Sequence, residues 1–341
     1  MSTLLEFARE HERLRSNLAD RTARQVVRLF RSIDPGALDA GWDRVAPLMA
    51  GVVTAAQMTA ARQAVPFTNA VTEVSEPVGL VPEAFAGVSR EGRAVAPELF
   101  AAVTTTKGLI ARGSGVPAAF RAGTAVMSIL ASTLVADAGR SADRTVAVAK
   151  GRTMFVRVVS AGACSRCAIL AGVTGYRENF ERHPNCRCTS IPVVDNKVPE
   201  GFFATPTEYF DSLSAGEQER VFTKSGAEAI RQGADPVKVV NARRGALKAT
   251  KRPDGSYSRA SLRPTMIGRN ADGSPLMVYA TPEGTTARSS WARSQGLNRG
   301  IDAGDRYRRT STLRLMPESI MRMSSDPVRV RELLKQYGYI S

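Results

Sequence analysis

The sequence predicts a mostly helical α+β protein in three parts, on the strength of three observations. Apolar residues recur at spacings of three and four in the first 150 residues, which indicates a helical N-terminal domain. A β-branched stretch then meets a cluster of all four cysteines, which predicts a small α+β module over residues 151–240. Residues 241–341 begin with a Gly-, Ser-, Thr- and Arg-rich segment, and we expect a basic, loop-rich region with short helices there.

The first predicted helix spans residues 3–33 and presents one apolar seam. His11 lies on this seam, and a packed position at a helix–helix contact is favoured over a ligand or pH-switch role, because no partner stands near it in sequence. Arginines occupy the other faces, which we expect to be solvated and not bound to DNA. The seam consists of Leu4, Phe7, His11, Leu14 and Leu18, and the arginines are Arg13, Arg15, Arg21, Arg24, Arg28 and Arg31.

Proline marks the limits of the helices that follow, because it fits the first turn of a helix but not its interior. Asp34-Pro35 ends the first helix and caps the second. The segment 117–138 is strongly apolar, so we expect a core helix there. The predicted segments are a helix over 35–64, loops over 65–96 with a short helix near 82–86, helices over 97–111 and 117–138, and a last turn or two over 143–150.

Two short strands are predicted on either side of the cysteine cluster. Thr153–Ser160 is rich in β-branched and aromatic residues, and Ile191–Val194 resumes this composition after the last cysteine. We expect the two to pair in a hairpin or small sheet. Further on, Ser214 and Glu217 have the capping-box spacing of a helix start. Short helices are predicted over residues 207–214, 214–231, 316–321 and 327–336.

The cysteine cluster has the composition and spacing of a metal site. It reads Cys-x2-Cys, fifteen further residues, then His-x2-Cys-x-Cys, and it contains one of the two histidines. A Cys-x2-Cys pair directs two thiolates at one ion, and a second group at this distance completes a tetrahedron. We predict a structural zinc site with Cys164, Cys167 and two of the other three as ligands. The five candidates are Cys164, Cys167, His183, Cys186 and Cys188.

Two other interpretations of the cysteines stay open, namely disulfides or a redox pair, and inert buried thiols. The N-terminus is polar and has no apolar core segment, so we expect no signal peptide and a reducing compartment in which disulfides are rare. A small segment with few large apolar residues buries too little surface to fold unaided, and metal binding would supply the missing free energy.

Positive charge is concentrated in one part of the chain. The net charge is +15, and residues 241–310 alone carry 14 basic and 5 acidic side chains, a net +9. This balance suits DNA, and the scarcity of interleaved aromatic residues predicts phosphate contacts without sequence preference. An acidic protein surface is the alternative partner, and the absence of an 18-residue apolar run predicts no membrane partner. The candidate DNA-contacting residues are Arg243, Arg244, Lys248, Lys251 and Arg252.

Several motifs resemble those of one protein family. The predicted strand, the Cys-x2-Cys-Ala-Ile-Leu-Ala-Gly run from Cys164 and the His-Pro-Asn-Cys-Arg-Cys run from His183 are similar to phage Mu F-like minor head proteins of tailed double-stranded DNA phages. Glu208-Tyr-Phe-Asp-Ser-Leu-Ser and the closing Tyr-Gly-Tyr-Ile resemble the versions from phages of actinobacteria. The resemblance covers most of residues 100–341, and His-Pro-Asn-Cys-Arg-Cys is its specific part.

The resemblance implies a structural minor capsid protein of low copy number. Such a protein lies inside the phage head near the portal, and in the host cytoplasm during assembly. It aids head assembly and DNA packaging or ejection. The partners implied are the portal protein, the major capsid protein or both, together with packaged DNA bound without sequence preference.

A catalytic alternative remains, because related phage proteins are sometimes labelled capsid maturation proteases. A serine protease needs a histidine base, and the chain offers only His11 and His183. A zinc-dependent hydrolase or nuclease needs an open coordination position and a general base. Five ligand candidates favour a closed site, with Glu178 and Glu181 as the nearby acids. We therefore expect a structural protein and not an enzyme.

Overall fold

A computed structural model confirms the mostly helical α+β fold. The chain forms two compact units, the first mainly Met1–Ala163 with Leu170–Thr205 and the second Cys164–Ile169 with Pro206–Lys251 and Tyr257–Ser341. The predicted three-part division stays a prediction. The structure describes residues 3–72, 78–159, 163–175, 177, 186, 188–193, 197–250, 260–297 and 307–341.

The first unit is built around long helices, as its apolar periodicity predicts. The first helix begins at a capping box in which the Thr3 side chain accepts from the Glu6 N–H and the Glu6 carboxylate accepts from the Thr3 N–H. The short 3₁₀ helix Pro82–Phe85 lies where one was expected. The helices are α1 Leu4–Arg31, α2 Leu38–Arg62, α3 Ala64–Thr72, α4 Val95–Leu99, α5 Ala101–Ala111 and α6 Val116–Ala149.

Two of the predicted helix limits are wrong. We expected loops from residue 65, but α3 is helical because Pro66 falls within its first turn, where proline is tolerated. We expected an interruption after residue 138, but α6 continues without a break to Ala149. Arg140 and Asp143 are buried in the fold, so polar residues do not end the helix there.

The buried stripe of α1 differs from the predicted seam. Phe7 and Leu14 are 38% and 44% exposed. The core side is lined by small residues, which let α1 approach its neighbours closely, and by three polar ones. Arg15, expected on a solvated face, is buried, and so is His11, as expected. The buried residues of α1 are Ala8, His11, Arg15, Ala19, Thr22, Ala23, Val26 and Phe30.

Helix α6 is the central helix of the first unit. It packs on α1, α2 and α5, and Met127, Ala131 and Val135 lie in the main apolar core. By length and composition alone α6 could span a membrane, and 44% of its most apolar window is buried. A central core helix requires the same composition, so this feature agrees with the packing observed.

A glycine permits the closest helix contact in this core. A Cβ atom at Gly123 of α6 would lie 2.0 Å from Thr106 Oγ1 and 2.9 Å from the Ala102 carbonyl oxygen, both on α5. No side chain larger than hydrogen fits without moving α5. The absence of a Cβ at this position therefore sets the distance between α5 and α6.

A three-stranded antiparallel sheet completes the first unit. Strand β1, Met154–Val158, lies between β2, Val173–Gly175, and β3, Thr189–Val193. The predicted pairing of the strands before and after the cysteines is confirmed, and β2 was not predicted. The sheet packs on α1 and α3 through a cluster of apolar residues, namely Ala8, Phe67, Val156, Val158, Ile191, Val193 and Phe202.

The second unit contains short helices and two-stranded ladders. The capping box at Ser214 and Glu217 is confirmed, and so are two short helices near the end of the chain. Asp235 caps a helix that was not predicted, with Oδ1 2.7 Å from the Val237 N–H nitrogen. The elements are α8 Pro206–Asp211, α9 Ala215–Phe222, α10 Lys224–Arg231, α11 Pro236–Ala246, β4 Thr265–Arg269, β5 Pro275–Val278, β6 Ala280–Thr281, α12 Ser290–Ser294, β7 Arg314–Leu315, α13 Pro317–Met323 and α14 Pro327–Gln336.

The closing Tyr-Gly-Tyr-Ile segment is anchored by a buried arginine. Arg314 Nε donates to the Tyr337 carbonyl at 2.9 Å, and its guanidinium lies 4.5 Å from the Tyr339 ring centroid. The Tyr339 hydroxyl donates to the Leu315 carbonyl at 3.0 Å. These contacts fix the end of the chain to the β6–β7 ladder.

We predict that Gly123→Ala lowers the free energy of unfolding by about 1–3 kcal/mol through overpacking, despite the better helix propensity of alanine. The matched control is Gly51→Ala in α2, where an added Cβ would meet nothing within 4 Å. This control should gain up to about 1 kcal/mol. Urea denaturation of both variants measures the effect, and equal changes at the two positions would contradict the packing argument.

Candidate metal centre

Three of the five predicted ligands come together in the structure. The sulfur atoms of Cys167, Cys186 and Cys188 lie within 4.8 Å of one another, and all three residues are buried. A zinc ion bound by thiolates at about 2.3 Å would hold its sulfurs about 3.8 Å apart. The three sulfurs could therefore hold a metal ion.

The Cys-x2-Cys turn forms as predicted. Cys164 precedes a single helical turn, α7 Ser165–Ala168, and its carbonyl accepts hydrogen bonds from the N–H groups of Cys167 and Ala168 at 2.9 and 3.0 Å. Cys164 itself is exposed, and its sulfur is not one of the clustered three. His183 lies outside the described residues. The identity of a fourth ligand, Cys164 or His183, therefore stays a prediction.

An arginine of α6 holds the second cysteine pair through its backbone. Arg140 Nε donates to the Cys188 carbonyl at 2.9 Å, and Nη2 donates to the Cys186 carbonyl. Nη1 donates to Asp137 Oδ1 at 2.7 Å, one turn earlier on the same helix. Both side chains are buried. One guanidinium thus fixes two of the clustered cysteines to the core helix and offsets part of the negative charge that thiolates would bring.

A second buried cluster supports the strand that follows Cys188. Arg15 Nη2 donates to Asp143 Oδ2 at 2.6 Å, and Nη1 donates to Thr189 Oγ1 at 3.3 Å. Thr189 is the first residue of β3, so the cluster joins α1, α6 and this strand. Arg15 passes over Gly139 of α6, where a Cβ atom would lie 2.5 Å from Arg15 Nε.

His11 belongs to this cluster and is neutral at neutral pH. Its ring stacks on Phe67 with 3.6 Å between the ring centroids, and Nε2 lies 2.5 Å from Arg15 Nη2 and 3.2 Å from Asp143 Oδ2. An arginine N–H can only donate, so Nε2 accepts. Burial and the charge of Arg15 lower the pKa of His11, against the opposing effect of Asp143.

The carboxylate of Asp143 is ionised in this setting. Complete burial alone would raise the pKa of Asp143. The charge of Arg15 and its hydrogen bond to Asp143 outweigh burial and lower this pKa. The cluster therefore contains a buried ion pair between Arg15 and Asp143. Removal of either residue would leave the other with an uncompensated buried charge.

Sequence analysis missed these supporting residues, although a signal for them exists. Asp137, Arg140 and Asp143 stand three residues apart in a helix of mostly apolar and small residues. Charged residues at this spacing on a core helix face into the protein and need buried partners. That pattern predicts an internal polar contact, but it does not show that the partners are the backbone of the cysteine segment and a side chain of α1.

The candidate DNA-contacting residues are not equivalent. Arg243 and Arg244 lie on α11 and not on an extended arm, and they line a cavity with Thr223 and Glu318. Arg243 forms an ion pair with Glu318, so much of its charge is compensated. Arg244 and Lys248 are exposed. Lys251 and Arg252 lie outside the described residues, as do Glu178 and Glu181.

One comparison with known proteins gives a match. A family model described as VG15 protein matches residues 5–215, which is more than half of the chain and includes the cysteine segment. This is a viral gene family, consistent with a phage protein. The narrower resemblance to Mu F-like minor head proteins is not confirmed by the match. No curated protein and no solved structure matches the chain.

We predict that Arg140→Met destabilises the first unit by about 3–5 kcal/mol, because Asp137 keeps a buried charge and the Cys186 and Cys188 carbonyls lose their donor. Arg121→Met, at an exposed position of the same helix, should change the free energy of unfolding by less than about 0.5 kcal/mol. Urea denaturation followed by circular dichroism measures both. Equal stability of the two variants would show that Arg140 does not support the cysteine segment.

We also predict a pH dependence that His11 generates. The folded-state pKa of His11 is lowered, so the unfolded chain binds more protons below about pH 6.5 and stability falls as the pH drops from 7 to 5. One group contributes at most about 1.4 kcal/mol per pH unit. In His11→Gln this part of the slope should disappear, as measured by urea denaturation at each pH. An unchanged slope would assign the dependence to other groups.

Proposed function

Since the chain belongs to the VG15 protein family, a family of viral genes, we propose that it is a structural minor capsid protein of a tailed double-stranded DNA phage. It lies inside the head near the portal, contacts the portal or major capsid protein and the packaged DNA, and assists head assembly and DNA packaging or ejection. The family match over residues 5–215 carries the proposal. The His-Pro-Asn-Cys-Arg-Cys motif from His183, which resembles the Mu F-like proteins, supports the finer assignment.

The test of this role is a phage that lacks the gene. Complementation with the wild-type chain should restore infectious particles in which the chain is present in low copy number, as quantitative mass spectrometry of purified virions would show. Absence of the chain from virions would overturn the proposal. Normal heads and normal DNA content without the gene would also overturn it.

The metal in this proposal is zinc, and its role is structural. Three buried thiolates form a soft donor set that suits zinc, and a fourth ligand from Cys164 or His183 would close the coordination sphere. Cys186 and Cys188 are attached to the core helix α6 through Arg140, so this helix would position two of the ligands. A closed site of this kind stabilises a fold and leaves no position for a substrate.

We predict about one zinc ion per chain in protein purified without chelator. Cys186→Ser should lose the metal and lower the thermal unfolding temperature, because metal binding contributes to folding. Cys164→Ser and His183→Ala separate the two candidates for the fourth ligand, and Ser165→Ala serves as the control. Elemental analysis and thermal denaturation measure these effects. Metal-free wild-type protein with the same stability as Cys186→Ser would contradict a zinc site.

A catalytic role would give a different result in the same samples. A maturation protease, hydrolase or nuclease should show turnover that Glu178→Gln or Glu181→Gln abolishes while the unfolding curve is unchanged. The structural proposal expects no such turnover with casein, a DNA duplex or a purified capsid precursor as substrate.

DNA contact is proposed for the exposed basic residues Arg244 and Lys248. Arg243 is paired with Glu318 and should contribute less. Each phosphate contact adds about 0.9 to the slope of log affinity against log salt concentration. Combined Arg244→Ala and Lys248→Ala should therefore reduce the slope by about 1–2 on a mixed-sequence duplex. Arg44→Ala with Arg121→Ala, two exposed arginines of the first unit, is the control, and an equal loss in both pairs would show nonspecific charge effects only.

A further inference from the structure

The hairpin formed by β4 and β5 is held together by its turn. The turn residues Asn270 and Ser274 form a backbone hydrogen bond of 2.8 Å, and Asp272 Oδ1 accepts from the Ser274 N–H at 2.9 Å. Gly273 has φ +81°, which glycine adopts without strain. Next to the turn Arg269 pairs with Pro275, and a shift in register between Gly268 and Met266 then brings Met266 opposite Met277.

The hairpin has almost no core of its own. Met266 and Ile267 are 50% and 45% exposed, and Leu276 and Met277 are 39% and 41% exposed. Of the nine strand residues only Val278 is buried. An isolated two-stranded hairpin is marginally stable in water, and burial of an apolar face is what normally stabilises it.

Apolar side chains emerge on both faces of this hairpin. Met266 and Met277 are cross-strand partners and share one face, and Leu276 points to the opposite face because side chains alternate along a strand. A hairpin that rests on its own protein has one polar face, so this pattern indicates a second surface that covers it. Among the described residues neither β4 nor β5 pairs with a further strand.

The positive charge of the hairpin indicates the kind of partner surface that would cover it. Arg263 precedes β4, Arg269 is its last residue, and both are exposed. Counted along the sequence, residues 241–310 carry a net +9. A second copy of this chain would bring the same positive charge and is disfavoured by repulsion. DNA would satisfy the arginines, but phosphates offer nothing to exposed methionine, isoleucine and leucine side chains. An acidic protein surface with an apolar depression satisfies both.

We propose that the β4–β5 hairpin is a docking element for an acidic protein surface. Met266, Ile267, Leu276 and Met277 fill the apolar depression, and Arg263 and Arg269 meet carboxylates at its rim. Methionine suits this role because its flexible thioether chain adapts to an irregular surface. The inference assigns the hairpin to an acidic protein surface and leaves DNA contact to Arg244 and Lys248, and it holds whether or not the partner is a virion protein.

Site-specific photocrosslinking in infected cells tests the inference. A benzoyl-phenylalanine replaces Met277 in the full-length chain, and in a matched control it replaces Leu48, which is 57% exposed on α2 of the first unit. After illumination, mass spectrometry identifies the adduct. We expect an adduct from position 277 to a different protein, on a peptide with apolar residues next to Asp and Glu, and a much weaker signal from Leu48.

The protein so identified is then purified and titrated against the full-length chain. Met266→Ser with Met277→Ser should weaken its binding at least tenfold, Arg263→Ala with Arg269→Ala should reduce the salt dependence of binding, and Leu48→Ser should have no effect. An adduct to a second copy, an adduct to DNA, or equal crosslinking at positions 277 and 48 would overturn the inference. Loss of the chain from virions with the adduct retained would instead contradict only the proposed capsid role.

Discussion

The structure of the first unit depends on the buried guanidinium of Arg140. The guanidinium, on the core helix α6, donates hydrogen bonds to the carbonyls of Cys186 and Cys188, two of the three clustered cysteines. Peptide carbonyls that are buried in a loop need donors, and a loop with little apolar surface offers few of its own. The core helix supplies the donor, so the position of the cysteines is set by a helix that lies outside the cysteine motif.

This support is combined with a costly set of buried charges. Asp137 accompanies Arg140, and Asp143 accompanies Arg15 and the neutral His11, all within the same helical unit. Such groups lose hydration on folding, and their mutual attraction only approximately compensates for that loss. Their value is geometric, because a misaligned strand or helix would leave a charge unpaired. We infer that the charges select one register of β3 against α6 and contribute little net stability.

The sequence reveals the parts of this fold that depend on local pattern. Most of the helices, the strands around the cysteines and the Ser214 cap depend on residues within a few positions of one another, and these have counterparts in the structure. The metal-ligand spacing has a counterpart in three of its five residues. The partners of His11, Arg15 and Arg140 lie up to 174 residues away along the chain, as in the Arg15–Thr189 contact, and no local pattern identifies them. The Arg243–Glu318 pair is similar, since charge composition does not show which arginine is already neutralised.

Gly139 of α6 couples the side chains that are tolerated on α1 and α6. Arg15 reaches Asp143 and Thr189 only because it crosses α6 at a residue without a side chain. Any larger residue at 139 would have to be accompanied by a shorter one at 15, and the reverse change would leave a cavity. Residues 15 and 139 should therefore vary together among related chains. In homologues where both residues have changed, the strand after the last cysteine must be anchored by other contacts.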